Sequence, residues 1–160
     1  MADKAKSRIS ASVFPDTIKS KFAGNLVSIP KDIGDKWVYA EVSVNTSANL
    51  LSTTNDFLVS GTALATGDKV TWIALKNTSG TSTEGVCFSL NGGTAAYNLA
   101  DGIFLGAGEM ICLKINHVTL ENLHAASVTM SASYGFPSSA NGDAVVVQVA
   151  AIIDDASYVP

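Results

Sequence analysis

The sequence predicts an all-β protein: an antiparallel β-sandwich, jelly-roll-like, of about eight strands, with an extended N-terminal arm. Three observations predict it. From about Trp37 onward, short stretches of strand character recur at intervals of roughly ten residues. Between them lie clusters of Gly, Asn, Asp and Ser, the residues that turns require. The clearest stretch, Ala126 to Tyr134, carries an apolar residue at every even position and a hydroxyl at every odd one. Such alternation implies one face that packs and one that meets water.

The elements follow in order. Residues 1–36 hold Pro15, Pro30 and single aromatics without a sustained period, and they are assigned to a basic extended arm. The body, 37–160, opens with Trp37 to Thr46, where Val38, Ala40, Val42 and Val44 oppose Glu41, Ser43 and Asn45. Asp56 to Leu64 follows a polar loop. Thr66-Gly67-Asp68 turns into Lys69 to Asn77, whose apolar residues fall on both parities and so suggest a central strand. Glu84 to Asn91 is the next strand. Asn91-Gly92-Gly93 is a tight-turn signal that should return the chain through Thr94 to Leu99 as a hairpin. Ile103 to Leu105 is a short piece between glycine turns. Glu109 to Ile115 aligns Ile111, Leu113 and Ile115, and Val118 and Leu120 extend it. After the Val128 strand, Ser138 to Asp143 is a loop and Ala144 to Ile153 the last strand.

Composition bounds the function. At 160 residues, 47% hydrophobic and only 15% charged, the chain has one domain's worth of core and is not a disordered protein. So little charge implies a surface that is either polar-neutral or covered by a partner, and subunit contacts are one place for it to go. The net charge of −4 is uneven. Residues 1–36 carry seven basic groups against four acids, or +3, and residues 37–160 carry three lysines against ten acids, or −7. The acidic body argues against binding a phosphate backbone, so no direct nucleic-acid contact is expected of it. The basic arm suits an acidic surface, such as the body of a neighbouring copy. No secretory signal opens the chain, and the apolar run from Ala144 to Ile153 is too short to span a bilayer. Synthesis and folding in a cytoplasm, without a membrane partner, is the expectation. Cys87 and Cys112 then default to free thiols.

Chemistry-bearing patterns are few. His117 and Glu121 would share a strand face and His124 the other, with no third ligand for a metal. No G-x-S-x-G elbow occurs. Glu41, Glu84, Glu109 and Glu121 read as solvated charges, and Gly106-x-Gly108 as a turn. Asp101, Asp143, Asp154 and Asp155 make no calcium-loop pattern. Trp72 lies in an apolar context and reads as core, whereas Tyr134, ahead of Gly135-Phe136-Pro137, is the candidate glycan contact. Catalytic residues, cofactor sites and metal sites are therefore all read as none, and the chain as no enzyme.

The segments Trp72 to Gly80, Val86 to Gly93 and Gly108 to Ile115 together resemble a pattern in small virion proteins of tailed bacteriophages. There, a strand contacting neighbours, a Gly-rich hairpin and a strand led by Gly-Glu recur in jelly-roll decoration, cement and tail-tip modules. The resemblance implies a virion location and a structural role: a capsid decoration or cement protein, oligomeric, with a trimer as one form. Its partners would be the major capsid protein or other virion subunits. The arm would tether neighbours, and Arg8, Phe14 and Phe22 are its expected anchors, because arginine and aromatics dominate interface energetics. The alternatives are a receptor- or glycan-binding tail module using Tyr134, and a shell-forming jelly-roll subunit.

Overall fold

A computed structural model describes residues 4–13, 20–30, 34–46, 48–53, 58–60, 63–92, 94–98, 100–133 and 135–156. The protein is an all-β antiparallel sandwich. Among the described residues there are twelve strands: β1 (Ala5–Val13), β2 (Ser20–Ser28), β3 (Lys36–Val44), β4 (Ala48–Asn49), β5 (Leu58–Ser60), β6 (Lys69–Asn77), β7 (Glu84–Ser89), β8 (Ile103–Leu105), β9 (Met110–Thr119), β10 (His124–Met130), β11 (Pro137–Ala140) and β12 (Val145–Asp154). One sheet runs β5-β3-β12-β6-β9. The second runs β11-β10-β7-β8, with β4 also paired to β10. The strands β1 and β2 form a separate hairpin.

The core lies between the two five-stranded sheets. In β3 the even residues are buried and paired with the odd residues of β12: Val38 with Ala151, Ala40 with Val149, Val42 with Val147, Val44 with Val145. These columns of β-branched and small side chains meet Val86, Phe88 and Leu105 of the opposite sheet. Leu50, Leu51, Leu120 and Leu123, all fully buried, close one end. Each such side chain contributes about 1.5–3 kcal/mol of transfer free energy. β6 is bonded on both sides, to β12 and β9, as its apolar residues on both parities implied. Ile73 and Leu75 enter the core, while Trp72 and Ala74 belong to a cluster on the outer face.

Several expectations need correction. The N-terminal segment, read as an extended arm without a sustained period, does carry strand structure, since β1 and β2 pair over nine residues each, from Ala5↔Ser28 to Val13↔Ser20. Asn91-Gly92-Gly93 does not make a hairpin. Gly92 takes φ +80° and donates its N–H to the Asn122 carbonyl at 3.2 Å, and β7 is bonded instead to β10 and β8. Residues 94–98 contain no strand. The hydroxyl face of the Ala126–Tyr134 stretch does not simply meet water. Ser127 is 2% exposed, and its Oγ lies 2.6 and 2.8 Å from the carbonyl oxygens of Asn45 and Asn141. The even residues Ala126, Val128 and Met130 do pack, but in a second cluster with Cys87 and Ala95 rather than in the central core. Part of the expected loop after Tyr134 is the short strand β11.

Candidate functional site

The outer face of the β5-β3-β12-β6-β9 sheet is ordered in rows by its registers. Trp37, Ile152, Trp72 and Lys114 make one row. Tyr39, Ala150, Ala74 and Cys112 make the next, and Glu41, Gln148, Lys76 and Met110 a third. The hairpin covers part of this face. Ala5 is buried in one cluster with Trp72 and Ile152, and Leu26, Trp37, Ala74, Cys112 and Ala150 pack against that cluster. Coverage stops there, leaving Tyr39 and Met110 exposed. β9 is one of the sheet's two edge strands, opposite β5. Its register slips between Val70 and Trp72 of β6, and His117 there takes φ +56°. Such a bulge bends an edge away from further pairing.

Between the hairpin and β9 lies a groove of about 500 Å³ lined by Lys6, Ser7, Arg8 and Ser10 and by Met110, Ile111 and Cys112. Lys6 and Arg8 are exposed, as are Lys76 and Lys114 on the same outer face. The body's few lysines were scattered in the sequence, at 69, 76 and 114, and register brings two of them to the face that the basic hairpin crosses. A one-dimensional charge count shows no such convergence. It is a cationic, partly apolar surface, suited to carboxylate-bearing partners.

Of the predicted anchors, Arg8 lines this groove and a second one of about 430 Å³ along the hairpin with Lys6, Ser7, Asn25 and Val27. Phe14 lies outside the described residues. The backbone of Phe22 is in β2, opposite Ala11, and its side chain lies outside the description. Tyr134 also lies outside the described residues. Trp72 is 6% exposed, in keeping with a packing role, although under the hairpin rather than in the central core.

Several titratable side chains have local partners. A 3-10 turn, Leu120–Asn122, ends β9 before Glu121, so His117 and Glu121 do not share a strand face. His117 instead places Nε2 3.2 Å from Asp154 Oδ2. Glu109 accepts the Gly106 N–H at 2.7 Å, closing the turn before β9, and Glu41 accepts from Gln148 at 2.9 Å. Among the described residues, no group of three or more His, Cys, Asp or Glu is placed to hold a metal ion, and no helix is long and apolar enough to cross a membrane.

Both cysteines are free and lie in opposite sheets, Cys87 in β7 and Cys112 in β9. Burial pushes the Cys87 thiol above the usual thiol range. A hydrogen bond from the Ala96 backbone opposes that shift, and Asp101 adds to it. Cys112 is half-buried and lines the groove. A maleimide or disulfide reagent should therefore modify one equivalent in the native protein, at Cys112, and the second only on unfolding. Equal labelling rates would contradict this placement. Stability should also fall as pH rises beyond the ordinary thiol value, about 8.5, because the unfolded chain then releases the Cys87 proton first.

One constellation escaped the sequence reading. Lys36, counted there with the arm, is the first residue of β3 and stands on its core-facing side, 1% exposed. Its Nζ lies 2.7 Å from Asp68 Oδ2 and 3.4 Å from Asp155 Oδ1, and donates to the Ala63 carbonyl at 3.0 Å. Asp68, fully buried, accepts the Ala65 N–H at 2.9 Å and the Ala156 N–H at 3.2 Å. The available signal was parity: Lys36 continues the series Val38, Ala40, Val42, Val44. Comparison with protein-family models, with curated proteins and with solved structures finds no match for this chain.

Proposed function

We propose that the chain is a non-enzymatic virion structural protein, a capsid decoration or cement protein whose N-terminal hairpin ties it to neighbouring subunits. The observation that carries this reading is the hairpin's position. A two-stranded hairpin alone is marginal in water. This one leans on the body through the Trp72 cluster and leaves Val27 and Ile29, 37% and 55% exposed, facing outward. It borders an outer sheet face that still exposes Tyr39, Met110 and Val146. Apolar side chains in such number beside a cationic groove are what a subunit contact would cover.

Charge supports the same reading. The exposed basic groups Lys6, Arg8, Lys76 and Lys114 gather at the hairpin face. Of the exposed acids, Glu41 shares this face in the row of Lys76 and Met110, whereas Asp101, Glu109, Glu121 and Asp143 lie in turns and loops. One copy's groove then complements another copy's acidic turns, which is a head-to-tail contact that closes into a ring or spans a lattice. The test is solution mass by light scattering on the full chain and on a Lys6→Glu/Arg8→Glu variant. A discrete, salt-sensitive oligomer is expected, with association weakened at least about tenfold in the variant. The same compact monomer in both, at low salt and at the highest soluble concentration, would overturn the tether.

A further inference from the structure

We infer that Lys36 and Asp68 are the two halves of an intramolecular amide cross-link, formed by the folded protein itself with Asp155 as the proton carrier. The inference rests on the end of the sandwich and is independent of what the hairpin binds.

The parts needed for amide formation are assembled there. A primary amine lies 2.7 Å from a carboxylate oxygen, and both side chains are at most 1% exposed. Held in contact, the two react as neighbours within one molecule, the situation in which effective concentrations are very high. Burial excludes the bulk water that would otherwise favour hydrolysis. Both oxygens of Asp68 already accept backbone N–H groups, Ala65 on Oδ2 and Ala156 on Oδ1. Those donors face the charge that develops on oxygen when the carbonyl carbon becomes tetrahedral. The second carboxylate, Asp155, stands 3.4 Å from the nucleophilic nitrogen.

The step balances without a co-reactant. Proton transfer from the Lys36 ammonium to Asp68, through Asp155, leaves a neutral amine facing a carboxylic acid. Nζ attacks Cγ of Asp68, forming the N–C bond and a tetrahedral centre. Asp155 takes a proton from the nitrogen and returns it to the departing hydroxyl, the C–O bond breaks, and one water leaves. An ammonium and a carboxylate thus become a secondary amide and water, with no change in net charge or oxidation state.

The topology gives the bond a use. Lys36 begins β3 directly after the hairpin, Asp68 sits in the turn before β6, and Asp155 follows β12. An amide between residues 36 and 68 closes a covalent ring at the point where any pull on the hairpin enters the sandwich. Cross-links of this kind restrict the unfolded chain as disulfides do, and they need no oxidising compartment.

Intact-mass spectrometry of the denatured full chain is the test. The expected mass is that of the sequence less one water, and a protease digest should yield a branched peptide joining Lys36 to Asp68. Lys36→Met and Asp68→Ala should each show the full sequence mass. Asp155→Asn, which keeps both reacting groups, should show full mass or a greatly slowed loss of water. Wild-type protein at full sequence mass after prolonged incubation would overturn the inference. So would a loss of water that maps to a succinimide at Asp101-Gly102 and reverses in mild base. Undiminished cross-linking in Asp155→Asn would overturn the role given to Asp155.

Discussion

Replacing Asp68 by alanine should destabilise the fold by about 3–5 kcal/mol, the usual cost of removing one member of a buried charge cluster. The loss is large because Asp68 satisfies three donors at once: Lys36 Nζ, the Ala65 N–H and the Ala156 N–H. Alanine leaves Lys36, 1% exposed, with Asp155 at 3.4 Å as the acidic partner recorded for it, and strips both backbone groups of their acceptor. Buried donors left without partners each cost about 1–3 kcal/mol. Urea unfolding measures the effect, with Asp143→Ala in an exposed loop as the control, expected to change stability by less than about 0.5 kcal/mol. A cost for Asp68→Ala as small as the control's would mean that the cluster contributes nothing to the fold. The expectation holds whether Lys36 and Asp68 meet as ions or as an amide, because alanine abolishes both arrangements.

The same cluster illustrates how far the sequence could be read. Period-two alternation in β3 and apolar density in β6 and β12 identified the strands that build the larger sheet, because both signals arise from burial itself. What could not be read is how remote segments meet. Asp68 resembles any turn acid beside a glycine, and only the juxtaposition of 36, 68 and 155, from three separated segments, gives it a role. The hairpin was hidden for a different reason. Ala5 to Val13 does alternate, with Ala, Ser, Ile, Ala and Val at odd positions and Lys, Arg, Ser and Ser at even ones. Serine and alanine carry little strand propensity, however, so the pattern passed for a polar arm. The Asn91-Gly92-Gly93 signal was real as to backbone, since Gly92 does take positive φ. It failed as to destination, because the turn is held by Asn122 and not by a returning strand. The groove likewise depends on Lys6 and Arg8 coming to lie beside Met110 and Cys112, a proximity set by packing across about a hundred residues of chain.

Replacing Trp72 by alanine should cost about 3–5 kcal/mol and should also release the hairpin. Trp72 occupies the middle of the outer face, paired across β12 and β9 with Ile152 and Lys114, and it shares a cluster with Ala5 and Leu26 of the hairpin. Its indole Nε1 is buried and finds no hydrogen-bond partner among the described residues, so its contribution is packing. Trp72→Phe, which keeps most of the contact and discards the unpaired N–H, should therefore cost less than about 1.5 kcal/mol. The two variants separate ring volume from polar contact. Limited proteolysis then reports on the hairpin directly. Cleavage after Lys6 and Arg8 of β1 should accelerate in Trp72→Ala under conditions where the body stays folded, and remain slow in Trp72→Phe. Such a result would mean that the order of β1 and β2 is borrowed from the sandwich through one aromatic platform. Any load taken by the hairpin would then reach the body through Trp72 and through the chain entering β3 at Lys36. If Trp72→Ala left both stability and proteolysis unchanged, the hairpin would be an independent element and the outer face would be free to receive another subunit instead.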